Sequence, residues 1–160
     1  MNSDKKIKYI SNWIKEYSIS LPFSPASLII GVSGGIDSAV TSALCAKTGL
    51  KTIAVSMPIK QNPYQHKLSL RHLKWLKDTF SNVEIITIEL DKVFKSFELT
   101  MNSFNNKLAF ANSRSRLRMV TLYQIAQANN GIVVGTGNKV EDFGVGFYTK
   151  YGDGGVDISP

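Results

Sequence analysis

The chain has 160 residues, 43% of them hydrophobic and 19% charged, with a formal net charge of +7. That length suits one domain that buries most of its apolar surface. No run of roughly 18 apolar residues stands anywhere in it, which excludes a membrane-spanning helix of the ordinary kind. The N-terminal MNSDKKIKYI lacks the apolar stretch of a secretory signal, and the single cysteine, Cys45, permits no disulfide within the chain. Lysines are scattered rather than gathered in a run, which favours anionic small molecules over nucleic acid. The expectation is a cytoplasmic protein with neither nucleic acid nor membrane as partner.

Residues 3–18 place Ile7, Ile10, Ile14 and Tyr17 at helical spacing, with Lys5, Lys6, Lys8 and Lys15 mostly opposite. Leu21 to Ser27 contains two prolines and reads as a connector. Leu28 to Val32 is an apolar strand, followed by a turn at Ser33, Gly34 and Gly35. A helix then starts near Asp37 and ends near Gly49, a natural residue for a helix C-terminus. Its inward face is expected to carry Ala39, Val40, Ala43 and Leu44, with Cys45 in the packing.

Lys51 to Met57 is a second strand, stopped by Pro58, and residues 58–65 form a loop. His66 to Phe80 reads as a helix with Leu73, Leu76 and Phe80 inward. His66 and His72 have no metal-site spacing and are expected at the surface or a helix end. Val83 to Leu90 is β-branched and alternates weakly, as a strand buried on both faces does. Asp91 to Met101 is a short helix. A long one runs from about Asn105 to Asn129 with Met119, Leu122, Ile125 and Ala126 inward, and Gly131 to Val134 is a fourth strand.

The remainder, 135–160, is glycine-rich, polar and open; such a segment binds something or is disordered. Alternation of strands and helices predicts an α/β fold over 1–160: a Rossmann-like doubly wound parallel sheet, helices on both faces, joined by right-handed crossovers. Ligands of such sheets bind beyond the carboxyl ends of the strands. The turn at 33–35, the 58–65 loop and the segment from Gly135 all fall there.

The chemistry centres on SGGIDS, Ser33 to Ser38. Two glycines between strand and helix let backbone approach a ligand closely. The helix start aims its unpaired N–H groups and positive dipole end at the turn, which suits a phosphate or pyrophosphate. Ser33 and Ser38 add hydroxyls, and Asp37 adds a carboxylate able to hold magnesium. Neither GxxxxGK[ST] nor GxGxxG is present. On the long helix Arg114 and Arg118 share a face and Arg116 points roughly opposite; these are either solvated arginines or forks for phosphate and carboxylate. Thr136 and Glu141 follow the fourth strand as a hydroxyl and a carboxylate serving a nucleotide and its metal would, although Glu141 also reads as a helix-surface acid. Lys150, Asp153 and Asp157 lie in a segment too polar for a core.

SGGIDS resembles the pyrophosphate-binding loop of the ATP pyrophosphatase family. Together with NSRSRLRM at 112–119, GTGNKVED at 135–142 and FYTKYGDGGVDISP at 147–160, it makes the whole chain resemble the NAD synthetase family. The resemblance implies an amidation in two steps. The carboxylate of deamido-NAD attacks the α-phosphate of ATP, giving an adenylate and pyrophosphate, and ammonia then displaces AMP.

On the residues that match, Gly31, Val32, Ser33, Gly34, Gly35, Ile36, Asp37, Ser38 and Thr136 would bind ATP. Asp37 and Glu141 would hold Mg2+. Arg116, Lys150 and Asp157 would hold deamido-NAD, with Asp153 a weaker candidate. No side-chain nucleophile is required, because the catalysis is electrostatic and positional. The family forms homodimers with deamido-NAD bound across the interface. The absence of a glutaminase domain favours free ammonia or a separate ammonia-supplying partner.

The resemblance also implies that the chain lacks a C-terminal part of the family, including a further lysine on the ATP phosphates. The alternatives are another ATP pyrophosphatase, whether an amidotransferase or a tRNA-modifying enzyme, and a truncated nucleotide-binding module without turnover. A sulfur-transfer member would need paired cysteines, which Cys45 alone does not supply.

Overall fold

The computed structural model describes residues 2–160. Four strands, β1 (Ser27–Gly31), β2 (Lys51–Ser56), β3 (Val83–Thr87) and β4 (Gly131–Val134), form one sheet in the order β3-β2-β1-β4. All three pairings are parallel: Ile29 faces Ile53 and Val133 across β1, and Ala54 faces Ile85. The helices are α1 (Ser3–Ser20), α2 (Ile36–Lys47), α3 (Pro63–Thr79), α4 (Asp91–Thr100) and α5 (Lys107–Ala128).

Strand side chains alternate between faces, and the sheet divides the core accordingly. Leu28, Ile30, Ala54, Ile132 and Val134 pack with Ile14 of α1, Leu44 and Cys45 of α2, and Leu73 and Leu76 of α3. Ile29, Ile53, Val55 and Val133 pack on the other side with Phe94 of α4 and Met119, Leu122 and Ala126 of α5. From β1 the chain steps outward through α2 and α3 to β2 and β3. It then returns over the opposite face through α4 and α5 to β4, on the other side of β1. This is the expected doubly wound sheet, and the order reverses between β1 and β4. Crevices open at such a reversal, beyond the carboxyl ends of the strands.

Local expectations failed at specific places. The inward face of α2 carries Ser38, Thr41, Ser42, Leu44, Cys45 and Ala46, whereas Val40 is half exposed. Small hydroxyl residues are buried there because they bond to backbone or neighbours, as Ser42 Oγ does to the Ala39 carbonyl at 3.1 Å. β3 is not buried on both faces. It is the sheet edge, with Glu84 and Thr87 exposed, and it ends at Thr87.

α3 begins at Pro63 rather than His66. Asn62 Oδ1 accepts from the Tyr64 N–H at 2.8 Å and Pro63 takes the first helical position, an Asn-Pro start that is legible in the sequence. The 135–160 segment is more ordered than a polar open loop. It holds a π-helical turn at Val140–Val145 and folds its end back on β4, where Ile158 bridges to Val134 and is buried.

His72, expected at the surface, is partly buried, with Nε2 2.8 Å from Ser42 Oγ. Burial pushes its imidazole below the ordinary 6.5. The folded chain therefore keeps it neutral while the unfolded chain takes up a proton. The stability it contributes is full above pH 6.5 and is lost as the pH falls below that value. Urea midpoints on either side of 6.5 are expected to show this decline, and His72→Gln to flatten it. A slope unchanged in His72→Gln would assign the dependence to other groups.

Candidate functional site

Val32 passes from β1 into the turn with its N–H on the Val55 carbonyl at 2.8 Å and its own carbonyl accepting from Ser69 Oγ of α3 at 2.8 Å. The next residues close on themselves. Ser33 N–H donates to Ser38 Oγ at 3.2 Å, Gly35 N–H to Ser33 Oγ at 3.2 Å, and Ser38 Oγ to the Gly35 carbonyl at 3.0 Å. The two hydroxyls are 3.1 Å apart. Gln61 pins the ring from outside, its Nε2 donating to the Ser33 carbonyl at 2.6 Å.

Gly34 adopts φ +93, and a Cβ there would lie 2.3 Å from the Gln65 carbonyl oxygen of α3. Glycine is thus required both by the backbone angle and by the approach of α3. The first intrahelical bond of α2 is Ala39 N–H to the Gly35 carbonyl. The N–H groups of Ile36, Asp37 and Ser38 precede it and, with the helix dipole, face outward as anion donors. Ser38 is buried and its hydroxyl is spent on the ring, so it shapes the loop; Ser33 is exposed.

A cavity of about 470 Å³ opens at this point, where β1 and β4 part. Gly31, Val32, Ser33, Gly35 and Thr136 line it, together with Met57 and Gln61 from the loop after β2. Apolar walls come from Met119 and Leu122 of α5 and from Val134 and Val156. Of the residues expected to bind ATP, Gly31, Val32, Ser33, Gly35 and Thr136 thus share one cavity wall, whereas Gly34, Ile36, Asp37 and Ser38 do not line it. The loop after β2 contributes as its position predicted.

Asp37 lies at the head of α2, where Asn138 Nδ2 reaches its Oδ1 at 3.5 Å. Asn138 Oδ1 in turn accepts from the Val140 and Glu141 N–H groups, both at 3.0 Å. One side chain thus ties the Glu141 turn to the start of α2. Among the described residues neither carboxylate enters an ion pair, and no group of three or more His, Cys, Asp or Glu could hold a metal. The two carboxylates are hard oxygen donors of the kind magnesium takes, one or two at a time, with phosphate oxygens and water completing its shell.

Arg116, Lys150 and Asp157 do not line this cavity. Arg116 is exposed and its Nε donates to the Lys150 carbonyl at 3.1 Å, while the Lys150 ammonium lies over the Tyr151 ring. Asp157 Oδ2 accepts from the Val133 N–H at 2.7 Å and Oδ1 from the Tyr123 hydroxyl at 3.1 Å. Burial, with the Asp157 carboxylate beside it, pushes the Tyr123 phenol up to about 12. Asp157 thus closes the free edge of β4. Asp153, the weaker candidate, does line the cavity. Its Oδ1 accepts from Ser115 Oγ at 2.6 Å and from the Thr149 N–H at 3.1 Å.

Arg118, read only as one of three arginines, also lines the cavity. Its Nε donates to the Met57 carbonyl at 3.0 Å, and it enters no ion pair among the described residues. Burial and the like charge of Arg114 lower its pKa, against a smaller opposite effect of Asp91. The signal for it was its place one turn beyond Arg114, on the face of α5 turned towards the sheet. Cys45 is fully buried and its thiol is pushed up to about 12 by burial, which leaves it unreactive.

The sequence model of the NAD synthase family matches residues 6–160. The chain is 34% identical to the NH(3)-dependent NAD(+) synthetase of Carboxydothermus hydrogenoformans over 100% of its own length and 65% of that protein's. It is 38% identical to the corresponding protein of Finegoldia magna, over 100% and 64%. Its fold superposes on the NMN synthetase of Francisella tularensis with a TM-score of 0.88 at 35% identity, covering 100% of this chain and 64% of that one. The NH3-dependent NAD synthetase of Campylobacter jejuni, solved with a nitrate ion, gives 0.87 at 29% identity, covering 100% and 67%. The chain spans just under two thirds of the length of the curated relatives it matches.

Proposed function

The chain belongs to the NAD synthase family, and we propose from this that it is the nucleotide-binding and adenylating unit, over residues 1–160, of an ammonia-dependent NAD synthetase. In this reading it is a carbon–nitrogen ligase acting on deamido-NAD, ATP and ammonia. The observation that carries it is the closed Ser33–Ser38 ring at the head of α2, opening with Thr136 into one cavity at the strand-order reversal.

ATP would place its base and ribose against the apolar walls and its phosphates against the exposed N–H groups of Ile36 to Ser38. A carboxylate oxygen of deamido-NAD attacks the α-phosphorus, and the bond to the pyrophosphate oxygen breaks. Ammonia then adds to the acyl carbon, AMP leaves, and a proton passes to solvent. Pre-aimed N–H dipoles stabilise the charge that develops on the leaving group without reorganising.

Asp37 and Glu141 would hold Mg2+, which supplies counter-charge to the phosphates. Arg116, Lys150 and Asp157 sit outside the cavity, so their role in holding deamido-NAD belongs to a homodimer in which the partner's copies complete the site. Support for a dimer comes from apolar side chains left exposed on α5 and the following segment, among them Leu108, Val120, Phe143 and Phe147. A cytoplasmic setting, without membrane or nucleic-acid partners, fits small-molecule chemistry of this kind. No helix among the described residues is long and apolar enough to cross a membrane.

Incubation with ATP, magnesium, ammonia and deamido-NAD is expected to release NAD, AMP and pyrophosphate in equal amounts. The fit to the Francisella NMN synthetase favours a second reading, with the nicotinate mononucleotide as the acid. Supplying each acid separately decides between them. ATP bound with neither acid converted would leave a nucleotide-binding module and defeat both.

A further inference from the structure

A second cavity, of about 740 Å³, lies between the loop after β2, α4 and the start of α5. Its charge is one-sided. Lys60, Lys95, Lys107 and Arg114 line it, against Glu98 as the one acid. The Glu98 carboxylate is already engaged by Lys60 Nζ at 2.6 Å. Among the described residues Lys95, Lys107 and Arg114 enter no ion pair.

Two of these cations are held in place, and a third stands where a helix disfavours it. Lys60 adopts φ 47, left-handed for a lysine, and its N–H donates to Asp91 Oδ1 at 2.6 Å. Arg114 lies over the Phe94 ring at 5.7 Å, a contact that anchors its guanidinium beside the groove. Lys107 is the first residue of the 22-residue α5, whose first turn contains no acid. A cation is disfavoured at the positive end of a helix, and an anion in the groove reverses that cost. Lys60 also lines the first cavity, so the two meet there.

We propose that this groove binds a pyrophosphate group. Three uncompensated cations, with the Asn102 and Asn105 amides on the same wall, match a multivalent phosphoanion better than a single carboxylate. The choice of pyrophosphate rests on the reaction proposed above, which releases inorganic pyrophosphate and takes a dinucleotide joined by the same linkage. The cationic character of the groove does not depend on it.

The test fills the first cavity with a non-hydrolysable ATP analogue and titrates inorganic pyrophosphate by calorimetry. It compares the unaltered chain with a Lys95→Glu, Lys107→Glu double variant. Both side chains lie outside the first cavity, and Lys107→Glu places an acid where α5 favours one. Pyrophosphate is expected to bind the unaltered chain and to lose at least about tenfold in affinity in the variant, with the analogue bound equally by both.

A parallel loss for deamido-NAD assigns the groove to the linkage of the dinucleotide, and an unchanged affinity for it assigns the groove to the released product. Absence of pyrophosphate binding to the unaltered chain, or equal affinity in the variant, overturns the proposal. An analogue that fails to bind the unaltered chain defeats the ATP reading instead, and pyrophosphate titrated alone still tests the groove.

Discussion

Gly34→Ala is expected to abolish useful ATP binding and to lower pyrophosphate release by about a hundredfold to a thousandfold, the scale of losing aimed backbone donors. The alanine would have to hold φ +93 with its Cβ 2.3 Å from the Gln65 carbonyl oxygen and 3.2 Å from the Ser69 nitrogen. Both are backbone atoms of α3. That helix does not give way easily, because Ser69 Oγ donates to the Val32 carbonyl at 2.8 Å and lies within hydrogen-bond distance of Ser56 Oγ, at 3.2 Å. The relief is a shift of the turn itself, which breaks the ring between Ser33 and Ser38 and displaces the first N–H groups of α2.

Folding stability is expected to fall by about 1–3 kcal/mol, the usual cost of a strained backbone. Gly35→Ala is the control. Gly35 has φ −85, and its Cβ would meet only Ser33 Oγ, at 3.4 Å; its cost should stay under about 1 kcal/mol. Urea midpoints on the two variants check the contrast in stability, and ATP calorimetry compares Gly34→Ala with the unaltered chain, since Gly35 itself lines the cavity. Equal midpoints and unchanged ATP binding in Gly34→Ala would show that the turn tolerates a side chain at 34 and that its shape does not define the site.

The same loop shows what was legible beforehand. SGGIDS between a strand and a helix announces its backbone form, because glycine accepts the angle found at position 34; the phosphate reading rests on the free donors of a helix start. The parallel, doubly wound sheet followed from the alternation of strands and helices, whereas the order β3-β2-β1-β4 did not. What stayed hidden was set by packing between distant segments. The edge position of β3 is invisible in VEIITIEL, since a β-branched run reads alike whether one face or two are covered.

Asp157 resembles a ligand-holding residue of its family, yet within one chain its carboxylate bonds the Val133 N–H and the Tyr123 hydroxyl. The fold-back of 156–158 beside β4 brings residues about two dozen positions apart together, and periodicity carries no trace of that. Gly152 is a related case. A Cβ there would meet Ser115 Oγ at 2.3 Å, so its smallness serves the contact with α5 and not a flexible loop.

Arg118 is the residue whose importance the sequence least distinguished, and its removal is expected to have the second largest effect. Arg118→Ala should reduce kcat/KM for ATP by about a hundredfold, equivalent to losing a charged hydrogen-bonded contact of about 3 kcal/mol. The guanidinium is partly buried at the wall of the first cavity with Nε committed to the Met57 carbonyl and, among the described residues, no carboxylate paired with it. A cation partly held out of water, with Asp91 near but not paired with it, is unfavourable for folding; under the function proposed above, an anion arriving with substrate would offset that cost.

Stability should fall by no more than about 1–3 kcal/mol, the cost of leaving the Met57 carbonyl without its donor. Arg118→Lys should remain within about fivefold of the alanine variant, because a lysine offers a point charge and cannot bond Met57 and a phosphate through one rigid plane. Steady-state kinetics with ATP varied, beside urea midpoints, separates these effects. Wild-type rates in Arg118→Lys would mean that charge alone matters there. Wild-type rates in Arg118→Ala would reduce Arg118 to a wall of the cavity and leave the counter-charge to the magnesium proposed at Asp37 and Glu141.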